Sequence, residues 1–187
     1  MIKNRIKVVL GDIITLEILN EENKKEIINV EAIVNPANDC LAPGGTLSGA
    51  IHAAAGPKLT EECKKLNGCK TGEAVITNAY NLPVKYIIHT VGPMWYGGND
   101  NEEKLLDSCH QKVLDLAVKN NIKTIAFPCI STGAYGYPSE KASKVAINSV
   151  ISFLKKNKTI KMIYFITKKD NYFIYKSCLI SKGLKSS

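Results

Sequence analysis

Apolar and polar positions along the chain follow two periods. Apolar runs of about four to eight residues mark strands, and apolar residues three and four apart mark helices. Arg5–Leu10 (RIKVVL) predicts a first strand, ending at the turn Gly11-Asp12-Ile13. Thr15–Asn29 carries two strand-like pieces, TLEIL and EIINV, around the polar stretch Asn20–Lys25, which predicts a β-hairpin with a solvated tip. Glu31–Val34 predicts the next strand. A small-residue helix over Ser48–Ala55 stops at Gly56-Pro57, and a second helix covers Lys58–Leu66. Strands at Ala74–Ala79 and Tyr86–Val91 flank an Asn-Leu-Pro turn at 81–83. In Glu102–Asn120, Leu105, Leu106, Cys109, Val113, Leu116 and Ala117 recur at helical spacing. Then follow a strand over Thr124–Ile130, a helix over Ser139–Leu154 with Ser139 as its cap, a strand over Ile160–Ile166 and a helix over Asn171–Lys182.

Alternating strands and helices predict an α/β fold, a mixed and mostly parallel central sheet with helices on both faces. No linker, repeat or low-complexity block interrupts the 187 residues, so one domain over 1–187 is expected. The hairpin at about 15–30 and a polar tail at about 183–187 are additions to it.

Composition changes this picture little. No apolar run approaches the ~20 residues of a membrane-spanning helix. The start, Met1-Ile2-Lys3-Asn4-Arg5, has no apolar secretory core, so a cytoplasmic protein is expected, and a monomer by default. Six cysteines at irregular spacing, none in a Cys-x-x-Cys pair, read as free thiols. The three histidines form no ligand-spaced set with them, so no metal site is expected. The net charge of +8 is spread along the chain and densest after residue 155, as on a solvated surface rather than a nucleic-acid face. Such a field still draws in anions.

Two glycine-bearing loops each follow an apolar strand and precede a helix: Pro43–Gly49 and Ser131–Gly136. In open α/β sheets both lie at the carboxyl ends of strands, where ligands settle. Backbone N–H groups of such loops, together with helix N-termini, hold anions, and two loops at one edge suit two adjacent phosphates. Neither loop is followed by Gly-Lys-Ser/Thr, and neither completes G-x-G-x-x-G, which argues against P-loop hydrolysis and ordinary dinucleotide oxidoreduction. Asp12 is placed to accept from an exocyclic amine such as adenine's. Asn35 and Asn38 can donate and accept, and Tyr135 offers an aromatic face to a sugar. A nucleotide diphosphate carrying a second sugar fits this set.

At these residues the chain resembles the macrodomain family, and within it the MacroD type. The matching pieces are Gly11-Asp12-Ile13, Ile33–Asn38, Gly49–His52 with Ala54–Pro57, Thr71–Ala74, His89–Pro93 and Ile130–Pro138. They run in order over roughly residues 1 to 180. The resemblance implies a three-layer α/β/α fold that binds ADP-ribose. Asp12 and the backbone of Ile13 would hold the adenine. Gly44, Gly45, Thr46, Leu47 and Ser48 would wrap the distal ribose and one phosphate. Ser131, Thr132, Gly133, Ala134, Tyr135 and Gly136 would hold the diphosphate, with Tyr135 packed on the distal ribose and Asn38 beside its reacting carbon. MacroD-type members remove ADP-ribose from mono-ADP-ribosylated acidic side chains and deacetylate O-acetyl-ADP-ribose, with no metal or other cofactor.

Two departures stand out, and the first bears on chemistry. Four glycines, an apolar residue and an aspartate usually precede Gly-Ala-Ile-His; here Pro43–Ser48 replaces two glycines and puts Ser48 where the aspartate stands. Serine positions water but is a poor base at neutral pH. Turnover assisted by Asn38, Ser48 and the ligand's phosphate, and binding without turnover, are therefore both open. The second departure is the added hairpin, which decorates an edge. Simpler roles stand beside the functional ones: Asp12, Asn35 and Asn38 as turn residues, Ser48 as helix cap, His52 and His89 as packed histidines. Trp95 and Tyr96 are candidates for the cleft rim, and Cys40 and Cys129 for packing.

Overall fold

The computed structural model describes residues 2–184, except the Lys3 side chain. Residues 185–187 of the expected polar tail lie outside them. Among the described residues, eight strands form one sheet: β1 (Ile6–Gly11), β2 (Glu17–Leu19), β3 (Lys25–Ile27), β4 (Ala32–Pro36), β5 (Ala74–Asn78), β6 (Tyr86–Thr90), β7 (Thr124–Phe127) and β8 (Met162–Thr167). Their order is β3-β2-β1-β8-β7-β4-β6-β5. The five inner strands from β1 to β6 pair in parallel, while β2, β3 and β5 pair antiparallel at the two edges. The sheet is thus mixed and mostly parallel, and the β2–β3 hairpin extends it beside β1.

Among the described residues, five α-helices cover both faces: α1 (Thr46–Ala55), α2 (Pro57–Lys65), α3 (Glu102–Lys119), α4 (Ser139–Lys156) and α5 (Lys169–Ser181). Successive residues of a strand point to opposite faces, and the inner strands show it. Ile33, Ile87 and Ala126 pack with Ile51 of α1 and Leu59 of α2. Their neighbours Val34, Ile88 and Phe127 pack with Leu106 of α3, Ala146 of α4 and Tyr175 of α5. Strands buried on both faces are continuous apolar runs, which is why they are legible in the sequence. Among the described residues, no helix is long and apolar enough to cross a membrane.

Local chemistry corrects three element boundaries. β7 stops at Phe127 rather than Ile130, because Pro128 has no N–H to continue the ladder. α1 begins at Thr46 with Gly45 as its cap, so Ser48 lies inside the helix and is not its cap. Ser139 is the first residue of α4, the cap is Pro138, and no side chain caps that end.

Candidate functional site

The carboxyl ends of the inner strands open on one cavity of about 570 Å3, a size usual for small-molecule sites. Gly11–Ile13 after β1, Pro36–Asn38 at β4, Pro128–Tyr135 after β7 and Ile166–Lys168 at β8 line it, with Gly44–Ser48 along one wall. β8 and β7 separate β1 from β4. Three strand spacings of about 4.8 Å therefore put the Asp12 and Asn38 turns roughly 14 Å apart. The cavity is elongated along the sheet edge.

At the β1 end, Asp12 plays two parts. Its Oδ1 accepts the N–H groups of Ile14 (2.8 Å) and Thr15 (3.3 Å), which fixes the turn. Its Oδ2 lies 3.5 Å from Lys168 Nζ. Partial burial pushes the carboxyl up, but the two N–H bonds and Lys168 outweigh it and hold Asp12 below its ordinary value. Ile13 beside it is buried and lines the cavity.

The two loops supply N–H groups. Among the described residues, the backbone N–H groups of Gly44 through Ser48 and of Gly133 through Tyr135 meet no acceptor in the protein. The first set starts α1, whose dipole adds partial positive charge. Gly45 has φ 65° and ψ 175°, a region essentially confined to glycine, and this conformation aims the start of the helix. Ser131 also sits at φ 65°, and its buried hydroxyl has no partner among the described residues. Only glycine fits at 92, because a Cβ there would overlap Ser131 Oγ and crowd Ile130 Cγ2. Trp95 N donates to Tyr135 O (2.8 Å), and Asn171 Nδ2 to Thr132 Oγ1 (3.4 Å), so neighbouring elements hold the second loop.

The two asparagines separate. Asn38 clasps its own turn: Oδ1 accepts Ala42 N (3.0 Å) and Nδ2 donates to Ala42 O (3.1 Å). One N–H hydrogen and one lone pair remain for a ligand. Asn35 is fully buried and does not line the cavity, which corrects its expected place among the contacts. Two residues along β4 from Ile33, it faces the α1–α2 layer, where its Nδ2 donates to Ser48 Oγ (3.3 Å) and to His89 Nδ1 (3.0 Å). Gly136 also falls outside the lining, since its N–H turns back to Gly133 O (2.9 Å) to close the loop. The remaining expected residues of both loops do line it, Tyr135 half-buried and Ser48 only 3% exposed.

Sequence reasoning missed Lys168, Asn171 and Gly92 in the lining. The signal for Lys168 was present, because it follows a strand ending at the same sheet edge as Asp12. Trp95 and Tyr96 do not line the cavity. The Trp95 ring packs on Tyr137 at 4.6 Å and carries Lys141 Nζ at 4.8 Å. Cys129 lines the cavity, but burial pushes its thiol up to about 12, so it stays protonated.

The expected lack of a histidine–cysteine set fails in three dimensions. His52 of α1, Cys63 of α2 and His89 of β6 bring their ligand atoms within 4.8 Å of one another, all buried. Both His89 nitrogens are engaged, Nδ1 with Asn35 and Nε2 with Thr77 Oγ1 (2.9 Å). Burial, with His52 nearby, holds His89 down to about 3, and burial pushes Cys63 up to about 11. Neutral imidazoles and a protonated thiol knit α1, α2 and the sheet together.

A family model described as Macro domain matches residues 34–146. The chain belongs to the macrodomain family. The O-acetyl-ADP-ribose deacetylase of Enterobacter sp. (strain 638) is 43% identical over 187 residues, covering 97% of each chain. The ADP-ribose glycohydrolase MACROD2 of Xenopus laevis is 51% identical over 152 residues, 80% of this chain and 36% of that protein. The Trypanosoma brucei macrodomain in complex with ADP-ribose superposes with a TM-score of 0.81 at 36% identity, covering 94% of this chain and 69% of that one. The eight-stranded sheet with five helices is thus a macrodomain fold, and its cavity lies at the strand ends where open α/β sheets take ligands.

Proposed function

We propose that this macrodomain binds ADP-ribose in the cavity and hydrolyses the ester linking mono-ADP-ribose to proteins, or that of O-acetyl-ADP-ribose. One observation carries the reading: two sets of unpartnered N–H groups face a single elongated cavity that ends at a carboxylate. Asp12 Oδ2 accepts the adenine amine, and Ile13 flanks the ring. The diphosphate lies across the N–H groups of the Ser131 loop and the start of α1, where both phosphates gain charge-assisted bonds. The distal ribose rests by Tyr135 and within reach of the remaining donor and acceptor of Asn38. Water is the nucleophile, oriented by Asn38, Ser48 and the ligand's own phosphate, which takes up its proton. The reading also takes the protein to act as a cytoplasmic monomer, on a nucleotide or its protein conjugate rather than on nucleic acid.

A second reading, an ADP-ribose reader without turnover, is favoured by one residue. Ser48 stands where the MacroD pattern has an aspartate, and losing such a group costs ~10²–10⁴-fold in rate. A gel that follows release of ADP-ribose from a mono-ADP-ribosylated acceptor, beside calorimetric titration with ADP-ribose, separates the two. Release above the buffer control supports the hydrolase. Binding without release establishes the reader, and absence of binding overturns both.

A further inference from the structure

Four buried side chains run in series from the far side of β6 to the cavity wall. Thr77, His89, Asn35 and Ser48 are 2%, 0%, 0% and 3% exposed. Thr77 Oγ1 lies 2.9 Å from His89 Nε2, His89 Nδ1 lies 3.0 Å from Asn35 Nδ2, and Asn35 Nδ2 lies 3.3 Å from Ser48 Oγ. Asn35 and His89 are direct neighbours on parallel strands, so the sheet register itself sets the central link. We infer that this chain fixes the Ser48 hydroxyl as a hydrogen-bond donor toward the cavity, with His89 as the positioning residue that sets its direction.

Counting donors and acceptors decides the direction. With the Asn35 nitrogen toward Ser48 and His89, both amide hydrogens are used and, among the described residues, only Oδ1 has no partner. Turning the amide over would leave two buried N–H groups unsatisfied in place of one acceptor, the costlier outcome. Asn35 is therefore the donor in both bonds. His89 Nδ1 must accept, which puts its single proton on Nε2, facing Thr77 Oγ1. Burial keeps the ring neutral, so this tautomer persists across ordinary pH. At Ser48 an oxygen lone pair is taken by Asn35, and the hydroxyl hydrogen turns away from that incoming donor, to the cavity that Ser48 lines.

A hydroxyl directed in this way offers a hydrogen to a phosphate or acyl oxygen. It thus stabilises charge on the ligand rather than removing a proton from water. This catalytic consequence rests on the hydrolase reading above; the direction of the chain does not.

Two experiments separate the layers. Long-range proton–nitrogen correlation spectra of the imidazoles in the unliganded protein report the tautomer without any turnover. The Nε2–H form of His89 is expected from pH 5 to 8, and an Nδ1–H form overturns the inference. The second is a double-mutant cycle on kcat. His89→Leu is expected to lower kcat about tenfold or more, as loss of a positioned catalytic group does, with ADP-ribose affinity changed less than about threefold. His89→Asn, which keeps an acceptor near the Nδ1 position, is expected to restore most of kcat. In a Ser48→Ala background, His89→Leu is expected to add no further loss, because its route to the ligand is already gone. Additive losses, or a kcat indifferent to His89, overturn the positioning role. If His89→Leu does not fold, His89→Gln, whose amide reaches the Nε2 side and leaves no acceptor at the Nδ1 position, takes its place in the cycle, with the same expectation. A parent protein that binds but never turns over removes the hydrolase reading alone, and the spectra still test the chain.

Discussion

Lys168 Nζ lies 3.5 Å from Asp12 Oδ2, while Asp12 Oδ1 is held by the N–H groups of Ile14 and Thr15. One carboxylate oxygen therefore builds the turn and the other is offered at the cavity mouth. Hydrogen bonds to charged groups contribute ~1.5–3 kcal/mol, so Asp12→Ala is expected to weaken ADP-ribose binding about tenfold or more by calorimetry. Lys168 is mostly exposed, and such an ion pair is worth about 0–1 kcal/mol, so Lys168→Ala is expected to change affinity only a few-fold. Because Asp12 stays ionised below its ordinary 3.8, affinity at this end is expected to be flat from pH 8 to 5. An Asp12→Ala protein with undiminished affinity would remove the adenine assignment.

Gly45 tests the other wall. Its backbone, at φ 65° and ψ 175°, starts α1, and nothing lies within 4 Å of a Cβ placed there. The effect of a side chain is thus conformational rather than a clash. Forcing valine into that region costs about 1–3 kcal/mol. At this chain length, that lowers Tm by roughly 2–12 °C in a thermal melt. If the protein escapes the strain by shifting the loop, the N–H groups at Gly44–Ser48 lose their aim. ADP-ribose affinity is then expected to fall with a smaller Tm change. Unchanged Tm and unchanged affinity together would show that the loop does not depend on this conformation.

Much of this architecture is legible in the residues. The inner strands are buried on both faces, so Ile33-Val34, Ile87-Ile88 and Ala126-Phe127 are apolar without interruption. The loops at Gly44–Ser48 and Ser131–Tyr135 are marked by the glycines that follow β4 and β7. Sequence distance hides the links between elements. Asn35 and His89 are 54 residues apart and meet only because β4 and β6 are neighbours in the sheet. The packing of α1 and α2 on the sheet gathers His52, Cys63 and His89, which no ligand spacing reveals. Ser48 resembles a helix cap in sequence because serine commonly is one. The glycine conformation at 45 starts the helix earlier and sends the serine inward.

Ser48→Asp reads the departure from the MacroD pattern directly. Asn35 Nδ2 already donates to position 48, and it would donate equally to a carboxylate oxygen. The second oxygen would then reach the cavity as an acceptor for water, which a base requires. kcat for ADP-ribosyl release is expected to rise about tenfold or more, within the span of a positioned general base. The pH–rate profile is expected to gain an acid limb as the new carboxyl protonates. No gain, with ADP-ribose affinity retained, would show that the missing carboxylate does not limit this protein.

Glu102 connects stability to the same site. It opens α3, is 1% exposed, and accepts the N–H groups of Tyr96 (3.0 Å), Gly98 (2.9 Å) and Asp100 (2.7 Å). The loop it gathers includes Trp95, whose own N–H braces Tyr135. Burial would raise this carboxyl, but the N–H donors prevail and hold it down to about 2 from 4.5. A depressed folded-state value gives stability that is fully present above 4.5 and is lost as pH falls toward 2. Buried His89 and His110 act in the same direction at higher pH: burial holds them at about 3 and about 4, so the unfolded chain gains protons first below 6.5. Glu102→Gln is therefore expected to lower Tm clearly at pH 7. Its deficit against the parent is expected to shrink between pH 4.5 and 2, while the decline that begins below pH 6.5 remains in both proteins. Thermal melts in a pH series give the answer, and a deficit that stays constant to pH 2 would rule out the ionised carboxylate as its source.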